Sequence, residues 1–438
     1  MKNNLTQVWY LLVLLIAFLF ILSSLPDFSI FGFDFKKPNL VADITRDPPP
    51  PPPKDSVVVV KDSVLKPVII HRHGKASIED FGSDNLVHFF DALANSRKEP
   101  VRVAFFGDSF IEGDIFCGPF RDTLQRLFGG SGVGYMPIAS EVTKFRVSIQ
   151  HDFTNWNTYS IVGKKRPDAP FGMPGYCFVP AEGNEVVYKP ASRTFSTAKF
   201  FYERDESSFV KFTLDDSTYS AELPAARELA QFDFTGKGLK SVAFSFPEPD
   251  HLRCYGAAFE DSVGVSVDNF AMRSNPGMGL LLVDRERMRQ FNNLRGYKLV
   301  VLQYGLNVLS EKDSTGYGWY LYRMTELVER MKEDLPGCGF LLLSIGDRCN
   351  NQNGTMSTMP GVWVLRDVQR AIAKKTGIAF WDMFEAMGGE NSIVKYTEAH
   401  PPLAAKDYTH LTFRGGRKIA KKLADALLNE KKMYDRKR

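Results

Sequence analysis

A serine, a histidine and an aspartate brought together can attack a carbonyl carbon. The hydroxyl attacks, the imidazole takes its proton, and the carboxylate holds the imidazole in place. Ser109, in VRVAFFGDSFIEGD (Val101 to Asp114), has the surroundings the first role needs. Val101 to Phe106 is a β-branched and aromatic run with one charge, which predicts a buried strand. Gly107 ends that strand, and Phe116 to Phe128 has helical apolar spacing. A serine at such a strand-to-helix turn presents its hydroxyl above a sheet, with backbone N–H groups aimed at whatever it attacks. Gly, Asp and Ser are also turn formers, so a plain turn after a strand would use the same residues.

The candidate base is His410, in KDYTHLT, with Asp407 three residues earlier and just ahead of the helix opened by Thr412. In a tight loop that spacing lets the carboxylate reach the imidazole and stabilise its charged form. A helix-capping aspartate beside a surface histidine would read the same way. Attack also builds an oxyanion, which needs fixed donors. Asn307, in LQYGLNV, follows a predicted strand, at the end of the sheet where ligands bind in open α/β folds. Its side-chain amide supplies one donor and the Ser109 N–H another. A third comes from Asp268 to Gly279, DNFAMRSNPGMG, where either Ser274 or Gly277 presents an N–H.

These residues must be positioned by regular elements. Asn85 to Asn95 has one apolar helical face, and Glu99-Pro100 leads from it into the Val101 strand. Gly129 to Gly134 reads as a helix exit and loop, since it lacks the lysine and flanking elements of a phosphate loop. From 136 to 268 the texture changes to alternating runs, including Ala198 to Glu203, Phe209 to Leu214, Lys240 to Phe246 and Val263 to Val267. Many short strands separated by turn residues suggest an antiparallel sandwich. The α/β alternation then returns: strands at Lys298 to Gln303, Gly339 to Ser344 and Ile378 to Asp382, and helices at Trp319 to Lys332, Val362 to Thr376 and Phe413 to Leu428. Such alternation means a mostly parallel sheet covered on both faces. The β-rich block therefore reads as an insertion into an α/β domain, and the basic tail from Lys431 as a solvated end.

Residues 8 to 25 carry no charge, and eighteen helical residues span about 27 Å, close to the hydrocarbon thickness of a bilayer. Lys2 precedes the run and Asp27 follows it, which keeps residues 1 to 7 cytoplasmic. An uncleaved anchor is favoured over a signal peptide, for want of a small-x-small cleavage site. Pro48 to Pro53 make a stiff tether within residues 26 to 78, where Val57 to Val60 and Pro67 to Ile70 are short β-like pieces. The net charge of +4 gives no broad basic field, which argues against nucleic acid. The five cysteines are scattered and suggest neither a disulfide scaffold nor a zinc site.

Taken together, Gly107-Asp108-Ser109, Gly305-Leu306-Asn307 and Asp407 to His410 resemble, in order and placement, three blocks of the SGNH/GDSL hydrolase family. Where the family's second block has glycine, this chain offers Ser274, with Gly277 as the other choice. Val308 stands where the third block continues with Asp. The stretch GDSFIEGDIF…LQRLFGGSGVGYMP resembles the start of periplasmic O-acetylpeptidoglycan esterases, whose hydrolase domain is interrupted by a carbohydrate-binding-like β domain. The resemblance implies a flavodoxin-like α/β/α fold in two parts, 79–135 and 269–438, with a jelly roll at 136–268 between them. It implies Ser109, Asp407 and His410 as the triad, with Ser109, Asn307 and Ser274 or Gly277 as the oxyanion hole, and no metal or cofactor. It also implies an O-acetylated glycan as substrate. Location in the inner membrane facing the periplasm, beside a membrane-bound acyltransferase partner, completes the expectation. The alternatives are acetyl transfer by the same triad and a glycan-binding scaffold without activity.

Overall fold

The computed structural model describes residues 9–10, 13–14, 28–30, 33–35, 77–164, 170–191, 193–310 and 314–437. The chain divides into two compact units, Met1–Lys66 and Pro67–Arg438. In the first, Trp9, Tyr10, Val13 and Leu14 are helical. Phe28–Ile30 pairs antiparallel with Phe33–Phe35. The rest of the 8–25 run, the proline tether and the β-like pieces at 57–60 and 67–70 lie outside the described residues. Among the described residues no helix is long and apolar enough to cross a membrane.

The second unit is built on a six-stranded sheet. Its strands are β1 (Ile78–Glu79), β2 (Pro100–Gly107), β3 (Gly264–Ala271), β4 (Tyr297–Gln303), β5 (Gly339–Leu343) and β6 (Ala379–Trp381), in the order β3-β2-β4-β5-β6-β1. All pairs are parallel except β6 with β1. Counting the parallel strands alone, the order is 2-1-3-4-5, that of flavodoxin-like folds, with its switch point between β2 and β4. Helices α1 (Val87–Ala94), α2 (Cys117–Phe128), α3 (Arg285–Arg295), α4 (Gly318–Asp334), α5 (Pro360–Thr376) and α6 (Phe413–Lys437) flank it. Phe116 and Phe120 of the α2 segment meet Phe105 of β2 edge-on, with ring centroids 5.7 and 5.9 Å away. Helix α3 has few apolar positions and no counterpart in the sequence reading. Asp284 caps it by accepting the Arg287 N–H at 3.0 Å.

Between β2 and β3 in sequence lies a nine-stranded antiparallel sheet. Tyr176–Pro190 is its corner. One flank pairs throughout with Ile149–Ser160, while the other pairs with Val242–Ser245 near one end and Cys254 near the other. A strand that changes partners folds a sheet back on itself. The two halves meet through aromatic side chains, Phe200 on Phe244 at 5.0 Å and Tyr188 on Phe259 at 4.8 Å. These residues belong to a hydrophobic core separate from that of the parallel sheet.

One expectation is corrected. The run Val263 to Val267 is not part of the β-rich block; from Gly264 on it lies in β3, the edge of the parallel sheet. Its alternation of apolar and polar residues suggested a half-exposed strand, but the polar residues are buried too. Asp268 accepts bonds from Arg295, Tyr297 and the Tyr135 N–H. The C-terminal tail from Lys431 is mostly exposed, as expected of a solvated end, but it is helical and docks through one residue. Helix α6 continues through it to Lys437, and Tyr434 donates to Asp91 at 2.8 Å while its ring meets Phe90 at 5.8 Å. All five cysteines are free thiols.

Candidate active site

Strand register brings the candidate residues to one edge. Gly107 is level with Ala271 of β3 on one side and Gln303 of β4 on the other. The loops carrying Ser109, Ser274 and Asn307 therefore leave the sheet together, astride the switch point. Gly107 has to be glycine, because a Cβ there would lie 2.5 Å from the Ile111 side chain and 2.9 Å from the Gln303 carbonyl.

The fourth contributor comes from the loop before α6. The Ala405 N–H donates to the His410 carbonyl at 2.8 Å, and Ala404 bridges to Leu411. In that closed loop Asp407 Oδ1 accepts the N–H groups of Thr409 and His410, both at 3.0 Å. Asp407 Oδ2 faces His410 Nδ1 at 2.7 Å, and His410 Nε2 lies 3.1 Å from Ser109 Oγ. Partial burial raises the Asp407 pKa, but the hydrogen bonds from His410 and Thr409 outweigh it and the net shift is downward. An ionised carboxylate only accepts, so Nδ1 carries the proton and Nε2 is left to accept from the serine hydroxyl. This is the geometry of a nucleophile, its base and an orienting group.

The donors are in place beside it. The N–H groups of Ser109 and Ser274 make no hydrogen bond among the described residues. Asn307 Nδ2 donates to Asp108 Oδ2 at 3.2 Å and to the Asn275 carbonyl at 3.3 Å, which presets its direction. The choice left open between Ser274 and Gly277 resolves geometrically. Ser274 lines the cavity, whereas Gly277 is buried and its N–H is taken by Asn275 Oδ1 at 2.9 Å. Gly277 is therefore corrected out of the candidate donor set. Ser274 has φ +62°, a left-handed conformation that glycine adopts freely and serine does not.

Several supporting residues were not singled out from the sequence. Asp108 is fully buried. Burial drives its pKa up to about 7, although the Phe110 N–H and the Asn307 amide, among others, favour its charge. Glu112 accepts both the backbone N–H and the guanidinium of Arg273. Asp114 takes Arg121, Ser148 and Asn269, tying α2, the β-rich block and β3 together. Burial raises the Asp114 pKa, but Arg121 outweighs it and the carboxyl stays below its ordinary range. The acidic run GDSFIEGD was the available signal, but partners some 160 residues away were not legible from it.

A cavity of about 510 Å³ opens over the serine, lined by Ser109, Glu112, Phe145, Ser274, Asn307 and His410 among others. His410 and Asp407 are half-exposed, so water reaches the base. Among the described residues no cluster of His, Cys, Asp or Glu could hold a metal ion.

No family model matches the chain, and no curated protein matches it. Among solved structures, a peptidoglycan O-acetylesterase aligns with 81% of this chain and 99% of its own, at a TM-score of 0.66 and 20% identity. An acetyl xylan esterase aligns with 37% of this chain and 81% of its own, at a TM-score of 0.29 and 17% identity. A putative GDSL-like lipase from Parabacteroides merdae ATCC 43184 does so with 37% and 72%, at 0.30 and 16%. The first likeness shows a shared fold over 81% of this chain.

Proposed function

We propose that this chain, which has the fold of an SGNH/GDSL hydrolase, is a serine esterase that removes O-acetyl groups from peptidoglycan or another polysaccharide. The observation that carries the proposal is the unbroken relay from Asp407 through His410 to Ser109, opening on a cavity with two free N–H groups. The fold shared with a peptidoglycan O-acetylesterase supports the choice of ester.

In this mechanism His410 Nε2 takes the Ser109 proton as Oγ bonds to the acetyl carbon. The carbonyl oxygen becomes an oxyanion, held by the Ser109 and Ser274 N–H groups and by one hydrogen of the Asn307 amide, released from the Asn275 carbonyl. The two backbone donors are preset and stabilise the developing charge without reorganising, while the amide exchanges one acceptor for another. The imidazolium then protonates the departing sugar oxygen, leaving acetyl-Ser109 and the free hydroxyl of the glycan. Water, activated by the same nitrogen, attacks the acyl carbon, and acetate leaves. The exposure of His410 favours water as the acceptor, and therefore hydrolysis over transfer. No metal or cofactor enters these steps.

Residues 8 to 25 act in this proposal as an uncleaved inner-membrane anchor, with the second unit in the periplasm. The β-rich block shapes glycan binding. N-terminal sequencing of the mature protein that began beyond residue 25 would refute the anchor. The function is tested by acetate release from O-acetylated peptidoglycan. The full-length protein should release acetate, and Ser109→Ala should lose at least about 10³-fold in rate while remaining folded. Retained release in the variant would remove Ser109 from the mechanism.

A further inference from the structure

A second cavity, of about 480 Å³, adjoins the start of α6 and is lined by His400, Pro401, Leu403, Arg414 and Arg417 among others. It lies one step along the helix from the catalytic cavity: Phe413 lines the latter and Arg414 the former. The two are held close by the first helical turn. A Cβ on Gly415 would sit 1.9 Å from the Leu403 carbonyl, in the wall of the second cavity. One on Gly416 would sit 2.2 Å from the carbonyl of Ile115, which lines the first.

The charges there break local rules. Arg414 and Arg417 are three apart and share a helix face, where like charges repel. Arg414 also occupies the first turn of a 25-residue helix, whose end carries partial positive charge and disfavours cations, and no acidic residue stands in that turn; Arg417 follows one turn later. Elsewhere buried carboxylates answer this chain's arginines: Glu260 answers Arg102 and Arg295, Asp334 answers Arg285, and Asp382 answers Arg370. Arg414 and Arg417 are exposed and have no carboxylate within ion-pair distance among the described residues, and the cavity lining holds no acidic residue. A like-charged pair, one member of it in the first turn of a helix, in a concave site beside a reaction centre is a local conflict of the kind found at binding sites.

We infer that this cleft is a subsite for a carboxylate carried by the polymer whose acetyl group lies at Ser109, with Arg414 and Arg417 as its ligands. The inference rests on the esterase reading and narrows it to acidic acetylated glycans. Guanidinium groups match carboxylate geometry by paired N–H donation, and an anion would also neutralise the mutual repulsion and the helix end.

The test is calorimetric binding of unacetylated oligogalacturonate, with neutral xylo-oligosaccharide as control, to full-length Ser109→Ala protein. Oligogalacturonate should bind. Adding Arg414→Gln and Arg417→Gln should weaken that binding by roughly tenfold or more, the size expected for losing two charge-assisted contacts, and leave the xylo-oligosaccharide unaffected. The same substitutions should leave the melting temperature unchanged or higher, since they remove cations from a helix N-terminus. Equal oligogalacturonate affinity with and without the arginines overturns the inference, and so does a lowered melting temperature, which would make the pair structural. Displacement of the oligosaccharide by inorganic phosphate, where chloride of equal ionic strength does nothing, overturns the glycan assignment in favour of free phosphate. Acetate release by the wild-type protein scores the esterase reading separately. If release is intact and the arginines do not matter, the subsite alone fails; if the arginines matter and no acetate is released, the esterase reading alone fails.

Discussion

Glu112 holds Arg273 from two sides: Oε1 accepts its backbone N–H at 3.2 Å and Oε2 its guanidinium at 2.9 Å. The next residue, Ser274, is left-handed at φ +62°, a conformation that costs a serine roughly 1–2 kcal/mol. Glu112 thus secures the turn that presents the Ser274 N–H to the cavity. Glu112→Ala should lower kcat roughly tenfold with little change in KM, as expected when one oxyanion donor is misdirected. Ser274→Gly adopts the same backbone without strain and should restore much of that loss in the double variant. Failure of the glycine to rescue would mean that Glu112 acts on something other than this turn.

Asp108 and Asn307 join the loops after β2 and β4 across the switch point. Asn307→Ala should cost about 10²- to 10³-fold in kcat, the usual size for one such donor, and leave KM nearly constant. A large rise in KM at unchanged kcat would make Asn307 a ground-state binder instead.

Asp108 also has a signature in stability. Its carboxyl pKa is raised by burial to about 7 in the fold from an ordinary 3.8. A raised carboxyl pKa favours the fold at low pH, and that contribution is lost as pH climbs from about 4 through 7. Asp108→Asn cannot ionise, so its melting temperature should gain on the wild type over that interval. A constant gap between the two would contradict the buried, neutral carboxyl.

His151 behaves in the opposite sense. It stacks on Tyr188 at 4.8 Å, its Nε2 donates to the Ile138 carbonyl at 2.9 Å, and its Nδ1 accepts from Thr143 at 2.5 Å. Burial lowers its pKa to about 4 from 6.5, so the ring is neutral in the fold and charged in the unfolded chain below 6.5. The stability it contributes is present above pH 6.5 and lost as pH falls toward 4, about 3 kcal/mol in all. The advantage of the wild type over His151→Gln in urea unfolding should therefore shrink as pH falls from 7 to 5. An advantage independent of pH would mean that the ring takes up its proton as readily in the fold as in the unfolded chain, which contradicts the burial-lowered pKa.

Phe145, in the segment that Thr143 and His151 tie to the β-rich block, lines the catalytic cavity with 74% of its surface exposed. An exposed aromatic beside the proposed glycan ester suits stacking on a sugar ring. Phe145→Ala should lower kcat/KM on acetylated polymer several-fold and leave a small acetate ester within about twofold, because binding energy away from the reacting bond acts only on substrates that reach it. Parallel losses on both substrates would make Phe145 a structural support.

The candidate triad was legible because its signals are local. A strand, a glycine and a serine stand together in 101–109, and the Asp407–His410 pair closes within one loop. Position along the chain also recovered the alternation that builds the parallel sheet. What escaped was set by distant partners. Asp268 drew no notice in the sequence, and its role depends on Arg295 and Tyr297, which stand 27 and 29 residues away. Ser274 and Gly277 could not be separated until Asn275 Oδ1 was found on the Gly277 N–H. Asp108 and Glu112 read as turn acids, since nothing nearby in sequence announces Asn307 or Arg273.

The central claim is that Ser109 carries the acetyl group between the ester and water. Peptide mapping by mass spectrometry, on full-length protein mixed with 4-nitrophenyl acetate and quenched in acid during turnover, tests it most directly. The acetyl group should be found on the peptide containing Ser109 and should be absent from Ser109→Ala. An acetyl group on another residue, or turnover that persists in Ser109→Ala without any adduct, would contradict the account.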